Sequence, residues 1–141
     1  MEYTTHSPEE TEALGAQFAD TLVPGDVIAF TGDLGAGKTA FTRGVLRGLG
    51  YMGRVTSPTF AIANEYETPR GPAVHFDLYR LLDEEALFEI GFEDYFDGRR
   101  IILIEWSENA GDSLPKAHKT VHISYGKSEN DRTVTIGDVA Q

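Results

Sequence analysis

Val27-Ile28-Ala29-Phe30-Thr31-Gly32-Asp33-Leu34-Gly35-Ala36-Gly37-Lys38-Thr39 is the stretch on which the reading of this chain turns. Val27 to Phe30 are all apolar and follow the turn Pro24-Gly25-Asp26, which predicts a short strand buried on both faces. Gly32 to Thr39 then matches G-x-x-x-x-G-K-[ST] in full. Past the loop, Phe41, Val45 and Leu49 recur at spacings of four, predicting a helix from Thr39 to Leu49 with Gly50 as its C-cap. A buried strand, a glycine loop and an amphipathic helix in that order predict an α/β domain with an anion site between strand and helix.

Each part of the loop has a physical task. Gly32, Gly35 and Gly37 permit backbone angles and close approaches that a Cβ obstructs. The N–H groups of Asp33, Leu34, Gly35, Ala36 and Gly37 can then turn inward as a nest for phosphate oxygens. The helix starting near Lys38 adds the positive end of its dipole. Lys38 reaches the β- and γ-phosphates of a nucleotide, and the Thr39 hydroxyl is suited to Mg²⁺. The expected ligand is a purine nucleoside triphosphate. No guanine-reading Asn-Lys-x-Asp occurs, so a GTP switch is disfavoured and ATP is expected.

Working outward, Ser7-Pro8-Glu9-Glu10 predicts a helix start, with Ser7 as N-cap and Glu10 closing a capping box. Leu14, Phe18 and Leu22 give that helix one apolar stripe. Phe60 to Ala63 reads as a strand leading into Asn64-Glu65-Tyr66, and Thr68 to Pro72 as a turn. From Val74 to Tyr79 the chain alternates, with Val74, Phe76 and Leu78 on one face and His75, Asp77 and Tyr79 on a polar one. Asp83 to Phe96 suggests short helices interrupted around Gly91. Ile101 to Ile104 is the most apolar run and predicts a central strand ending in Glu105-Trp106. Thr120–Tyr125 and Arg132–Ile136 read as antiparallel strands.

The 141 residues carry a net charge of −11 and no cysteine, which excludes disulfides, thiolate metal sites and thiol catalysis. That acidity disfavours a broad nucleic-acid groove, which needs clustered Lys and Arg. Any polyphosphate site must therefore be local. No apolar run approaches a membrane span, the N-terminus has no export-signal pattern, and a cytoplasmic location is expected.

A metal held by Thr39 needs further oxygen ligands, commonly one or two carboxylates. In phosphate-loop enzymes an acid at the end of a second hydrophobic strand supplies one. Glu105 ends the better strand and is expected at the metal, directly or through water. Asp77 is expected to orient or deprotonate the attacking water, or to hold Mg²⁺ from further out; its plainer alternative is a structural partner of Arg80. Trp106 either seals the site, faces a partner or fills the core. Thr59 stands where a switch loop could sense the γ-phosphate. His75, with no second His at ligand spacing, reads as a hydrogen-bonding residue.

Taken in order, Gly32 to Thr39, Ser57-Pro58-Thr59-Phe60, His75-Phe76-Asp77-Leu78-Tyr79-Arg80, Gly91-Phe92-Glu93-Asp94-Tyr95-Phe96 and Ile104-Glu105-Trp106 resemble the bacterial TsaE family. The resemblance covers about Ser7 to Leu114. One departure is Ala40, where relatives often carry a second Thr; the hydroxyl needed for Mg²⁺ is on Thr39. The resemblance implies an α/β, P-loop NTPase-like three-layer fold with a mixed central sheet, the whole of residues 1–141 forming a single ATPase domain. It implies slow ATP hydrolysis that supports a complex of the TsaB and TsaD proteins, with TsaD transferring the threonylcarbamoyl group to adenosine 37 of tRNAs that read codons beginning with A. Thr39 and Glu105 would bind Mg²⁺, Asp77 and Trp106 would matter for turnover, and tRNA would be met only through the partners. The rival reading is a small-molecule P-loop kinase. It would need an Arg-bearing lid and an acceptor pocket, whereas Arg43, Arg47, Arg54, Arg80, Arg99 and Arg100 are scattered.

Overall fold

A computed structural model of the chain describes residues 1–32, 37–55, 63–78 and 84–139. The expectations for Asp33, Leu34, Gly35 and Ala36, for the strand start at Phe60, for Thr59, and for Tyr79 and Arg80 lie outside the described residues.

The centre of the molecule is the run predicted to be buried. β2 (Val27–Gly32) is the middle strand of a seven-stranded sheet, with Val27, Ile28, Ala29 and Phe30 all buried. Its neighbours are β5 (Ile101–Glu105) on one side and β6 (His118–Tyr125) on the other, both parallel to it. β4 (Gly71–Asp77) extends the parallel set beyond β5. Three antiparallel strands finish the edges: β3 (Ala63–Thr68) beside β4, and β7 (Arg132–Val139) and β1 (Glu2–Thr5) beyond β6. β1 was not expected from the sequence. Its four residues, Glu-Tyr-Thr-Thr, carry no apolar run, and it pairs only with β7 at the sheet edge, where an exposed face tolerates polar residues.

Parallel strands need crossover connections, and these cover both faces of the sheet. On one face lie α1 (Pro8–Ala19) and α2 (Lys38–Gly48), packed over Ile28, Phe30, Leu103, Val121 and Ile123. On the other, α3 (Glu84–Glu89) and the 3-10 turns Phe92–Tyr95 and Ser107–Ser113 cover Val74, Phe76, Leu78, Ile102 and Ile104. The result is the expected three-layer α/β arrangement around a mixed sheet.

The helix ends follow the sequence signals, with shifts of a residue or so. The Ser7 hydroxyl accepts from the N–H of Glu10 at 3.1 Å, while the Glu10 carboxylate accepts from His6 N–H at 3.1 Å instead of from Ser7. α1 stops at Ala19, so Leu22 is buried from the following turn. α2 starts at Lys38, is capped by Leu49 and leaves through Gly50 at φ 99°. Gly50 N–H donates to the Arg47 carbonyl and Tyr51 N–H to that of Leu46, at 3.0 and 2.9 Å, which is a Schellman ending. α1 and α2 touch nearly backbone to backbone. A Cβ on Gly15 would meet the Phe41 carbonyl, and one on Gly44 the Glu12 carbonyl.

The alternation in β4 holds, but its second face is not a solvent face. By register His75 lies beside Leu103 and Asp77 beside Glu105, on the side covered by α2, and His75 is only 1% exposed. A central parallel strand is buried on both faces, so polar residues there are either paired or costly.

Candidate functional site

From β2 the chain passes through α2 to β3 and β4 on one side of the sheet, and from β5 it crosses past β2 to β6 on the other. At such a reversal the loops leaving the carboxyl ends of the strands diverge and open a crevice, the common ligand position in parallel α/β sheets. The ends of β2, β5 and β4 meet there, with Phe30 beside Glu105 and Glu105 beside Asp77. Thus Lys38, Thr39, Asp77, Glu105 and Trp106, though distant in sequence, all stand at one end of the sheet.

The anchor points of the loop are visible on both sides of it. Gly32 leaves β2 at φ 127°, and a Cβ there would collide with the Ile123 backbone of β6. Gly37 re-enters at φ 106° as the N-cap of α2 and offers no side chain to cap the helix. The contrast with α1 is informative. α1 has Ser7 as cap and Glu9 and Glu10 in its first turn; α2 has neither a capping side chain nor an acid in its first turn. Among the described residues, α2 thus starts with neither a capping side chain nor a first-turn acid, an arrangement that suits an external anion.

Lys38 is 5% exposed, unusual for an ammonium group. Its Nζ donates to the Gly32 carbonyl at 3.3 Å and lies 4.2 Å from the centre of the Trp106 ring. The indole face attracts the cation. Trp106 adopts φ 57°, the single positive φ of a non-glycine residue among the described residues. That conformation costs a bulky residue on the order of 1–2 kcal/mol. It turns the chain sharply at the end of β5 and sets the indole against the Lys38 ammonium.

Three hydrogen bonds tie the strand ends together. The Ser107 hydroxyl donates to the Phe30 carbonyl at 3.2 Å. Leu78 N–H donates to the Glu105 carbonyl at 3.1 Å. The Glu105 carboxylate is 2.5 Å from His75 Nε2, and both side chains are buried. Glu105 is thus held on both sides of its backbone and at its side chain, close to the base of the loop.

The sequence singled out Lys38, Thr39, Asp77, Glu105 and Trp106 but not the contacts that brace Lys38, Glu105 and Trp106. The Lys38–Trp106 stacking depends on a backbone angle that no motif announces. Ser107 carries no motif of its own. The His75–Glu105 contact had a latent signal: in parallel strands paired as 75 with 103, residue 105 lies one step along the same face.

The group these residues fit is a phosphate chain with a hard divalent cation. Glycine contours, an uncapped helix start and a buried ammonium suit the first, and a hydroxyl and a carboxylate suit the second. Among the described residues no cluster of three His, Cys, Asp or Glu forms a metal site by itself.

Fold and site together define an α/β protein of the P-loop NTPase-like class. The family model of the threonylcarbamoyl adenosine biosynthesis protein TsaE matches residues 5–134. Two relatives named tRNA threonylcarbamoyladenosine biosynthesis protein TsaE bear this out. That of Bacillus subtilis is 40% identical over 136 residues, 96% of this chain and 84% of its own. That of Haemophilus influenzae is 43% identical over 129 residues, 86% of this chain and 82% of its own. The crystal structure of Bacillus subtilis YdiB superposes with a TM-score of 0.82 at 35% identity, covering 99% of this chain and 86% of that one. The chain belongs to the TsaE family, whose place is in threonylcarbamoyladenosine biosynthesis.

Proposed function

We propose that this chain is a slow, Mg²⁺-dependent ATPase of the cytoplasm whose turnover supports the TsaB–TsaD pair in forming N6-threonylcarbamoyladenosine at position 37 of tRNAs reading codons that begin with A. The observation that carries the ATPase reading is the pairing of a buried Lys38 ammonium with the N-terminus of α2, which has no side-chain cap, where the glycine loop enters that helix. Two sources of positive potential converge there, within a protein of net charge −11. A local site of this kind overcomes an unfavourable global field, and a tRNA groove on the same surface is disfavoured.

In this reading Asp33 to Thr39 cradle the phosphates through backbone N–H groups, and Lys38 leaves the Gly32 carbonyl for the β- and γ-phosphates. Thr39 and Glu105 hold Mg²⁺, which when bound neutralises charge on the transferring phosphoryl group. Asp77, beside Glu105, orients the attacking water and accepts its proton. Trp106 keeps Lys38 packed at the base of the loop and screens it from solvent.

The arginines speak against a kinase lid. Arg47 donates to the Tyr51 and Gly53 carbonyls, Arg70 to those of Ala19 and Leu22, and Arg100 to the Asp97 carboxylate. These three arginines are engaged in closing helix ends and turns. No helix among the described residues is long and apolar enough to cross a membrane.

The test is a pair of variants assayed for nucleotide binding and Mg²⁺-dependent hydrolysis. Glu105→Ala is expected to lower hydrolysis at least roughly tenfold, since even outer-shell partners of metal sites are worth that much. Asp77→Ala is expected to keep the nucleotide and lose turnover by about 10²-fold or more, the usual contribution of a general base. Full activity in Glu105→Ala would transfer the metal role to Asp77. Normal turnover in Asp77→Ala would reduce that residue to a structural one.

A further inference from the structure

His75 sits in the middle of β4, 1% exposed, on the face covered by α2. Its Nε2 lies 2.5 Å from Glu105 Oε2, and its Nδ1 is buried with no hydrogen-bond partner. These two facts favour the tautomer with the hydrogen on Nε2. If Nε2 carries the hydrogen, it donates to the carboxylate and only a lone pair on Nδ1 goes unmatched. If Nδ1 carries it, a buried N–H is orphaned and the Nε2 lone pair faces carboxylate oxygen, which is the costlier arrangement.

From this geometry we infer that His75 is a positioning residue for Mg²⁺: its Nε2–H holds Oε2 of Glu105, so that the carboxylate keeps one orientation and presents Oε1 to the cation. The inference rests on the metal role proposed above for Glu105. A free glutamate has three side-chain torsions and loses their freedom when it binds a metal. Here that ordering is already done by the imidazole, itself immobilised in a sheet packed on both sides. Hydrogen bonds of this kind to carboxylate ligands orient them and strengthen metal binding. Leu78 N–H on the Glu105 carbonyl fixes the backbone of the same residue from the same strand pair. Register explains the contact: His75, paired with Leu103, is one step diagonal from Glu105 on the shared face, whereas Asp77 is paired directly with Glu105 at the strand end.

The test uses the full chain with ADP and Mn²⁺ as a paramagnetic probe, read by electron paramagnetic resonance, beside ADP affinity without divalent ions. His75→Phe keeps an aromatic ring of similar size and removes the donor. It is expected to bind Mn²⁺ in the ADP complex about 10- to 100-fold more weakly while divalent-free ADP affinity stays within about threefold. His75→Gln restores a donor near the Nε2 position and is expected to recover most of that loss. Mn²⁺ affinity in His75→Phe within about threefold of the parent, with Glu105→Ala strongly impaired, overturns the positioning role alone. Undiminished Mn²⁺ binding in Glu105→Ala overturns the metal reading and the inference with it. If His75→Phe fails to fold, nitrogen-15 spectra of the parent protein decide: the Nε2–H tautomer supports the inference and the Nδ1–H tautomer overturns it.

Discussion

Lys38 illustrates how one side chain can be constrained by fold and chemistry at once. Burying an ammonium group is unfavourable unless it is hydrogen-bonded or otherwise compensated. The Gly32 carbonyl and the Trp106 ring both contribute to that compensation. Neither attracts a cation as strongly as a phosphate does, so the resting contacts are ones that a triphosphate can displace. Lys38→Ala is therefore expected to weaken ATP binding by about 1.5–3 kcal/mol, or roughly 10- to 150-fold in dissociation constant. Isothermal titration with ATP measures this directly; unchanged affinity would remove the lysine from the phosphate site. A second residue-scale expectation concerns His6 and Asp131, 2.9 Å apart, which link the start of α1 to the turn between β6 and β7. The hydrogen bond that the His6 ring donates to Asp131 raises His6 above its ordinary 6.5, and the same bond lowers Asp131 below 3.8. A raised histidine contributes its stability fully below 6.5 and loses it as pH climbs through the folded value. A lowered aspartate contributes above 3.8 and loses its share as pH falls through the folded value. The pair thus stabilises most between those limits. The stability difference between the parent and His6→Ala is expected to be greatest at about pH 5 and to vanish at about pH 9. A difference that grows toward alkaline pH would contradict the pairing.

At the scale of elements, the decisive contact is the crossing of α1 over α2. Gly15, Gly44 and Gly48 let the helices approach until glycine Cα atoms lie against opposing backbone or Cβ atoms. This closeness sets where α2 begins, and so where Lys38 and Thr39 stand. Gly44→Ala is expected to lower the denaturant midpoint. The added Cβ meets the Glu12 backbone, and overpacking of about 1–3 kcal/mol outweighs the gain in helix propensity of about 1 kcal/mol. A raised midpoint would show that the helices can slide apart at no cost. The same crossing shows what was and was not legible in the sequence. The strands at Val27–Phe30 and Ile101–Ile104 were readable because unbroken apolar runs are what two-sided burial demands. The spacing of Phe41, Val45 and Leu49 was readable because a helix with one buried face enforces it. The glycines of the crossing were not, because their role is defined by another helix's backbone. β1 was invisible for a related reason: an edge strand takes its conformation from the strand that it joins.

At the scale of the whole molecule, sheet topology turns scattered motifs into a site. Parallel pairing of β2, β5 and β4 brings their carboxyl ends to one edge, so residues at 38, 77 and 105 become neighbours of one crevice. The acidic ends of two strands were predictable. That His75 reaches Glu105 from within the sheet required the register, which no single strand reveals. The net charge of −11 also fits the proposed role, in which partners meet the tRNA. The most direct test is the ATP hydrolysis rate of the purified chain, alone and with the TsaB–TsaD pair, in Mg²⁺. The account predicts slow turnover alone, a marked change when the pair is added, and loss of both in Lys38→Ala. Hydrolysis that the pair neither binds to nor alters would contradict it.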